Sequence, residues 1–227
     1  MSEVDANSAA LPQLVPERMP AVTDLAAKAI REAILAGRFR AGQRLVQADV
    51  AQMLGVSRQP VREAFRHLES EGLVVPDARG GVVVREYTAG EIAENYHLRT
   101  VLEAEAAALA AQEATYSDFE ELSNLNDDIR AAVSRSDLDT VVAANFEFHE
   151  RIRQSCNLAL LKQLIDMLWV GYSVITPLFV PGRAARSVIE HDKVITALRQ
   201  RDSQEAGSAM RQHIQAGFAD YQNQSRR

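Results

Sequence analysis

From Thr88 to the last residue the sequence is broken by helix starts and carries no run of alternating apolar and polar residues, so its core must be made by helices packed on helices. Thr88-Ala-Gly-Glu91 and Ser117-Asp-Phe-Glu120 fit the capping-box pattern, and Asn157, Gly182 and Asp202 or Ser203 mark further starts. The spacing predicts helices near 89–113, 118–134, 137–155, 158–176, 184–201 and 203–223. Helices joined by such short connections favour an antiparallel bundle over residues 88–227.

The preceding residues follow a different plan. Residues 1–19 are small, polar and proline-punctuated, which reads as a flexible arm. From Thr23, apolar residues at Leu25, Ala29 or Ile30, Ala33 and Ile34 predict an amphipathic helix stopped by Gly37. The segment FRAGQRL is a turn with a short extended end, QADVAQML a two-turn helix closed by Gly55, and Ser57 the N-cap of a third helix reaching Glu71. Pro60 is tolerated because the first turn has amides without intrahelical partners. LVVPDARGGVVVRE then reads as a hairpin turning through Asp77–Gly81. Helix, short helix, helix, hairpin is the order of a winged helix-turn-helix over residues 20–87, so the fold expected is mainly α: an N-terminal winged helix-turn-helix and a C-terminal all-α antiparallel bundle.

Charge is distributed unevenly. The chain carries −6 overall, yet residues 20–87 hold ten Lys+Arg against eight Asp+Glu, giving +2, while residues 88–227 give 14 − 20 = −6. Within the third helix, Val61, Phe65 and Leu68 fall at i, i+4, i+7 and make a buried stripe, which leaves Arg58, Arg62 and Arg66 on the opposite side. A solvated helix can carry such a face, but a recognition helix needs it: its N-terminal residues meet base edges in the major groove, where arginine donates two hydrogen bonds to guanine. Ser57, Arg58, Gln59 and Arg62 sit at that end, and Gly80 and Gly81 either serve the turn alone or also let the backbone of a wing tip approach a groove closely. The single cysteine, Cys156, excludes an internal disulfide, and Lys162 and Asp166 interrupt the most apolar segment. A cytoplasmic protein with no membrane segment is expected.

The run ILAGRFRAGQRLVQADVAQMLGVSRQPVREAFRHLESEGLV, with the glycine-tipped hairpin after it, resembles the DNA-binding domain of the GntR family of bacterial transcription regulators over residues 22–86. Gln59 stands where the family usually has threonine. The resemblance implies a homodimer on double-stranded operator DNA, with the bundle helices making most of the dimer contact.

Three of the five histidines fall on apolar faces of three predicted helices. His149 shares a face with Val142, Asn145 and Ile152, His191 with Val188, Ile195 and Leu198, and His213 with Met210, Ala206 and Gly217. Each alone reads as a hydrogen-bonded core residue; together they offer neutral imidazoles suited to a divalent ion such as zinc or nickel, with Asn145 a possible oxygen ligand. Arg99 lies on the inward face of the first bundle helix with Ile92, Tyr96, Leu102 and Ala106. It either pairs with Glu103 or clamps the carboxylate of an effector.

The bundle is similar to the FCD effector domain of the FadR-like branch of the same family, in the L-R-x-x-L-E run from Leu98 to Glu103, an N-x-x-F-H segment and two later histidines. The resemblance maps a metal site onto Asn145, His149, His191 and His213, with asparagine in place of the commoner aspartate. The function expected is a repressor of a catabolic operon, released from its operator by a small carboxylate effector bound near a divalent metal. The alternatives are a regulator for which the ion itself is the signal and a metal-dependent enzyme, for which Glu147, Glu150 and Asp192 are the nearest carboxylates in sequence.

Overall fold

The computed structural model describes residues 21–35, 38–169 and 180–225. The expected arm at 1–19 and the helix stop at Gly37 lie outside the described residues. The elements run α1 (Val22–Leu35), β1 (Arg44–Leu45), α2 (Gln47–Leu54), α3 (Arg58–Ser70), β2 (Val74–Pro76) and β3 (Val82–Val84), then α4 (Ala89–Glu113), α5 (Tyr116–Ser134), α6 (Leu138–Ser155), α7 (Ala159–Trp169), α8 (Arg183–Arg199) and α9 (Ser203–Ser225). The mainly α architecture, a winged helix-turn-helix followed by a helical bundle, is the one the periodicity predicts.

In the first part, α3 is the central beam. Val61, Ala64, Phe65 and Leu68 are buried, and they close a core with Ala26, Ala27 and Ile30 of α1 and Val82 and Val84 of β3. The apolar face of α1 is therefore rotated from the expected one, for Leu25 is 52% exposed. Small alanines, not the leucine, face α3 because they let the two helices approach closely. Gly55 closes α2 in the left-handed conformation at φ 65°, which a glycine adopts without a Cβ penalty. β3 is the middle strand of an antiparallel sheet of order β1-β3-β2, with Arg44 opposite Val83 and Val75 opposite Val83 on the other side. At Gly81 (φ 86°) an added Cβ would collide with the Leu45 carbonyl oxygen, so the wing needs glycine there to reach β1.

The bundle is built around α4. Its Ala104, Ala107, Ala110 and Ala111 are fully or almost fully buried, and α9 lies along them so closely that a Cβ on Gly207 would sit 3.1 Å from the Ala104 carbonyl oxygen. This small-residue seam draws α9 towards α4 and with it His213 towards Glu103. Thr88 accepts from the Glu91 amide and Glu91 returns to the Thr88 amide, the capping box expected at the start of α4. The box at α5 is not Ser117 with Glu120. Thr115 and Asp118 form it instead, the Asp118 carboxylate lying 2.6 Å from the Thr115 amide, so the helix starts at Tyr116 rather than 118. Asp202 caps α9 by accepting from the Glu205 amide. The helix expected over 158–176 is found as α7 to Trp169, and residues 170–176 lie outside the described residues.

Candidate metal centre and DNA-reading face

His149 on α6, His191 on α8 and His213 on α9 converge in the middle of the bundle, buried, with one ring nitrogen of each within 4.8 Å of the others. What each Nδ1 meets decides what the cluster can do. The Nδ1 of His149 lies 2.8 Å from Glu103 Oε2, and that of His213 lies 2.7 Å from Glu190 Oε2. The Nδ1 of His191 lies 3.1 Å from Asn126 Oδ1, and the Asn126 amide is oriented by donating to the Val188 carbonyl and to Asp192. In all three cases an acceptor faces Nδ1, so Nδ1 carries the proton and Nε2 keeps its lone pair.

Three lone pairs then point inward. His149 Nε2 and His213 Nε2 are 3.1 Å apart with no proton left to share, and His191 Nε2 is buried without a hydrogen-bond partner among the described residues. An arrangement of this kind is costly unless a cation occupies the centre. Three imidazole donors with Nδ1 anchored to carboxylate or amide oxygens are also the donor set a first-row divalent ion takes. The residues fit a metal. Asn145 is buried on α6 one turn before His149, on the same side.

The electrostatics agree. Burial holds His149 down at about 4 against the opposing pull of Glu103, and burial likewise lowers His191 and His213, so all three rings are neutral at neutral pH. Burial alone would raise the Glu103 carboxyl, but the Arg99 guanidinium and the hydrogen bond from His149 hold it well below the usual carboxylate range.

Arg99 is where sequence reasoning left two options. Its Nε donates to Glu103 Oε1 at 2.6 Å, and its guanidinium packs 4.4 Å from the Trp169 ring, so it is engaged by an internal carboxylate. Trp169 Nε1 donates to the same Glu103 oxygen at 2.9 Å. Glu103 therefore holds Arg99, Trp169 and His149 together. Sequence reasoning saw Glu103 only as a partner for Arg99 and missed Asn126, Glu190 and Arg183, whose buried guanidinium pairs with Glu190 and lies 3.2 Å from His213 Nδ1. Glu190 lies one residue before His191, which is the signal that could have found it. The carboxylates considered for general-base chemistry bond none of the three histidines among the described residues: Glu150 bonds Arg153, Gln154 and Lys162, Asp192 bonds Arg130 and reaches the cluster only through Asn126, and Glu147 is exposed.

On α3, Arg58, Arg62 and Arg66 are all exposed and opposite the buried stripe, as are Ser57 and Gln59 at its N-terminal end. Ser57 is the N-cap residue, but its side chain makes no capping bond, which leaves the hydroxyl for other partners. Glu63 draws in Arg66 at 3.1 Å and Gln59 at 3.4 Å, whereas Arg58 makes no ion pair among the described residues. At the wing, Gly80 and Gly81 both have positive φ, and Arg44 bonds the carbonyls of Arg79 and Gly80, stiffening the tip. Arg79 itself, with 78% of its side chain exposed beside the glycines, is a basic wing residue the sequence reading passed over.

Residues 94–216 match the model of the FCD domain, and residues 17–84 match that of the bacterial regulatory proteins of the gntR family. This chain is a GntR-family transcription regulator with an FCD domain. The regulator is 28% identical over 192 residues to the HTH-type transcriptional regulator YdhC of Bacillus subtilis, covering 83% of this chain and 84% of that one. It is 29% identical over 182 residues to the HTH-type transcriptional repressor RspR of Escherichia coli, covering 77% of each. Its fold matches the solved structure of Escherichia coli McbR with a TM-score of 0.83 at 24% identity, covering 91% of this chain and 100% of that one. A GntR regulator from Rhodococcus matches with a TM-score of 0.72 at 25% identity, over 88% of this chain and 97% of that one. The regulator is DNA-binding, and no helix of its described residues is long and apolar enough to cross a membrane.

Proposed function

We propose that residues 20–87 read an operator, that residues 88–227 bind a divalent metal and a small carboxylate effector, and that effector binding releases the protein from DNA as a repressor of a catabolic operon. The observation that carries the metal half is the anchoring of all three Nδ1 atoms, which turns three Nε2 lone pairs towards one point. His149, His191 and His213 would hold the ion, zinc or nickel, with Asn145 the candidate oxygen ligand. When bound, the ion supplies a positive, Lewis-acidic position for an oxygen of the effector.

The remaining work falls to the chain. Glu103 orients His149 and ties it to Arg99 and Trp169. In the first turn of the same helix, α4, Glu91 accepts from Arg85 at the end of the wing at 2.6 Å. Tyr87 between them donates to the Gly72 carbonyl at 3.0 Å. A change in the packing of α4 at Glu103 thus has a direct mechanical path to the wing, and the effector acts by preferring one of two arrangements of that path.

Ser57, Arg58, Gln59, Arg62 and Arg66, with Gly80 and Gly81 at the wing, form the DNA-reading face. A homodimer supplies the second half-site. Leu160, Leu164 and Met167 form an exposed stripe on α7 (68, 43 and 69% exposed), and Leu98 and Val101 (41 and 46%) lie on the neighbouring α4. An apolar face of this kind is best covered by its symmetric copy.

Native mass spectrometry of the purified chain tests the reading. The expected species is a dimer with about one divalent ion per chain that chelator removes. A protein that takes up neither zinc nor nickel after chelation removes the metal from the mechanism, and a His149→Ala variant with full effector response does the same.

A further inference from the structure

A cavity of about 700 Å³ separates α1 from α6 and α7, with Arg31 on one side and Val142, Ala143, Phe146, Arg153 and Trp169 on the other. Its volume is that of an ordinary small-molecule site. None of the three clustered histidines lines it. What distinguishes it from a packing gap is Arg153, whose side chain is only 2% exposed.

The Arg153 guanidinium lies 4.6 Å from the Trp169 ring and 5.6 Å from that of Phe146. Its Nη2 donates to Glu150 at 2.5 Å and its Nε is 3.1 Å from Asp166, while Nη1 is buried with no hydrogen-bond partner among the described residues. Lys162 bonds the same two carboxylates, at 3.1 Å from Glu150 and 2.6 Å from Asp166. Two cations and two carboxylates balance, so the cluster has spare donor capacity and no spare charge. A buried donor of this kind calls for an oxygen acceptor. Phe146, half-buried in the cavity wall, offers the flat apolar contact beside it, while Trp169 is 3% exposed with the Arg99 and Arg153 guanidinium groups already against its ring.

We propose that this cavity is a second small-molecule site, taking a planar aromatic molecule whose carbonyl or carboxylate oxygen accepts from Arg153 Nη1. Its occupant touches α1 of the DNA-reading part and α6 and α7 of the bundle at once, and so biases how the two sit together. Through Trp169 Nε1 and Glu103 it shares one hydrogen-bond chain with His149.

Trp169 is the only tryptophan of the chain, so its emission reports on the site. Benzoate, benzamide and, as a control without an acceptor, benzene are titrated into the full-length protein at millimolar concentrations. Benzoate or benzamide is expected to shift Trp169 emission saturably and benzene to bind more weakly; a preference for benzoate identifies an acid as the ligand class and a preference for benzamide a neutral carbonyl. Ala143→Phe fills the cavity from an exposed position and is expected to weaken binding by about tenfold with an unchanged unfolding midpoint. Arg153→Met, where it folds, is expected to erase the preference over benzene. Chelator treatment leaves the signal in place, which separates this site from the metal centre. No saturable shift with benzoate or benzamide, or binding that survives Ala143→Phe, overturns the proposal.

Discussion

The recognition helix α3 and the bundle helices carry their functional candidates in opposite directions. On α3 the polar residues face out over an ordinary apolar core, Val61 and Leu68 at 0% exposure beneath exposed arginines. In the bundle polar residues lie inside the apolar core: Arg99, Glu103, His149, His191 and His213 are all buried. The first design lets contacts with a partner change without touching stability. The second makes ligand chemistry and folding one quantity, because each buried polar group must be satisfied by its neighbours or by what it binds.

The sharpest break of that comparison is Glu103→Ala. It removes the carboxylate that Arg99, His149 and Trp169 share, and losing one partner of a buried ion pair costs about 3–5 kcal/mol. Urea unfolding should show that loss, and a variant as stable as the parent would mean that the buried network is decoration. Arg62→Ala should do the reverse. Operator affinity measured by fluorescence anisotropy should fall by about 1–3 kcal/mol, as for one base-reading arginine, while stability stays within about 0.5 kcal/mol. A large loss of stability on that exposed position would erase the contrast.

Acid sharpens it further. His149, His191 and His213 are held below the value of 6.5 that they have in the unfolded chain, His149 at about 4. Below 6.5 the unfolded chain takes up protons that the folded, metal-free bundle refuses, so stability present above 6.5 is lost as the pH falls towards 4, by at most about 1.4 kcal/mol per ring and pH unit. Chelator-treated protein should therefore lose stability steadily over that window; a flat profile would mean that the rings are not buried in their neutral form.

The same contrast explains what was legible in the sequence. Periodicity found the helices because burial is read one face at a time, and it found three histidines because they interrupt apolar faces. The partners of those histidines were hidden, since Asn126 and Glu103 reach His191 and His149 from helices 65 and 46 residues away. No local pattern encodes such a meeting. Leu25 misled because α1 offers two adjacent stripes, and only packing against α3 selects Ala26, Ala27 and Ile30. The α5 start misled because Thr115 and Ser117 both resemble caps, and the choice falls to whichever carboxylate reaches back: Asp118 meets the Thr115 amide.

The join between the two designs gives the smallest effect and the most specific one. Thr88→Ala removes the hydroxyl that accepts from the Glu91 amide at 3.2 Å, and loss of a threonine cap costs about 1 kcal/mol. It also removes the hydroxyl contact that steadies Glu91 at 2.9 Å, while leaving the bond from Arg85 intact. Because Glu91 serves the cap of α4 and the end of the wing together, the variant should loosen the communication between them more than it loosens either part. The expected outcome is a small shift in unfolding midpoint, near-normal operator affinity without effector, and a reduced change in that affinity when effector is added. Should the effector response be unaltered while the midpoint drops as expected, the signal does not travel through the start of α4, and the two parts communicate by another contact.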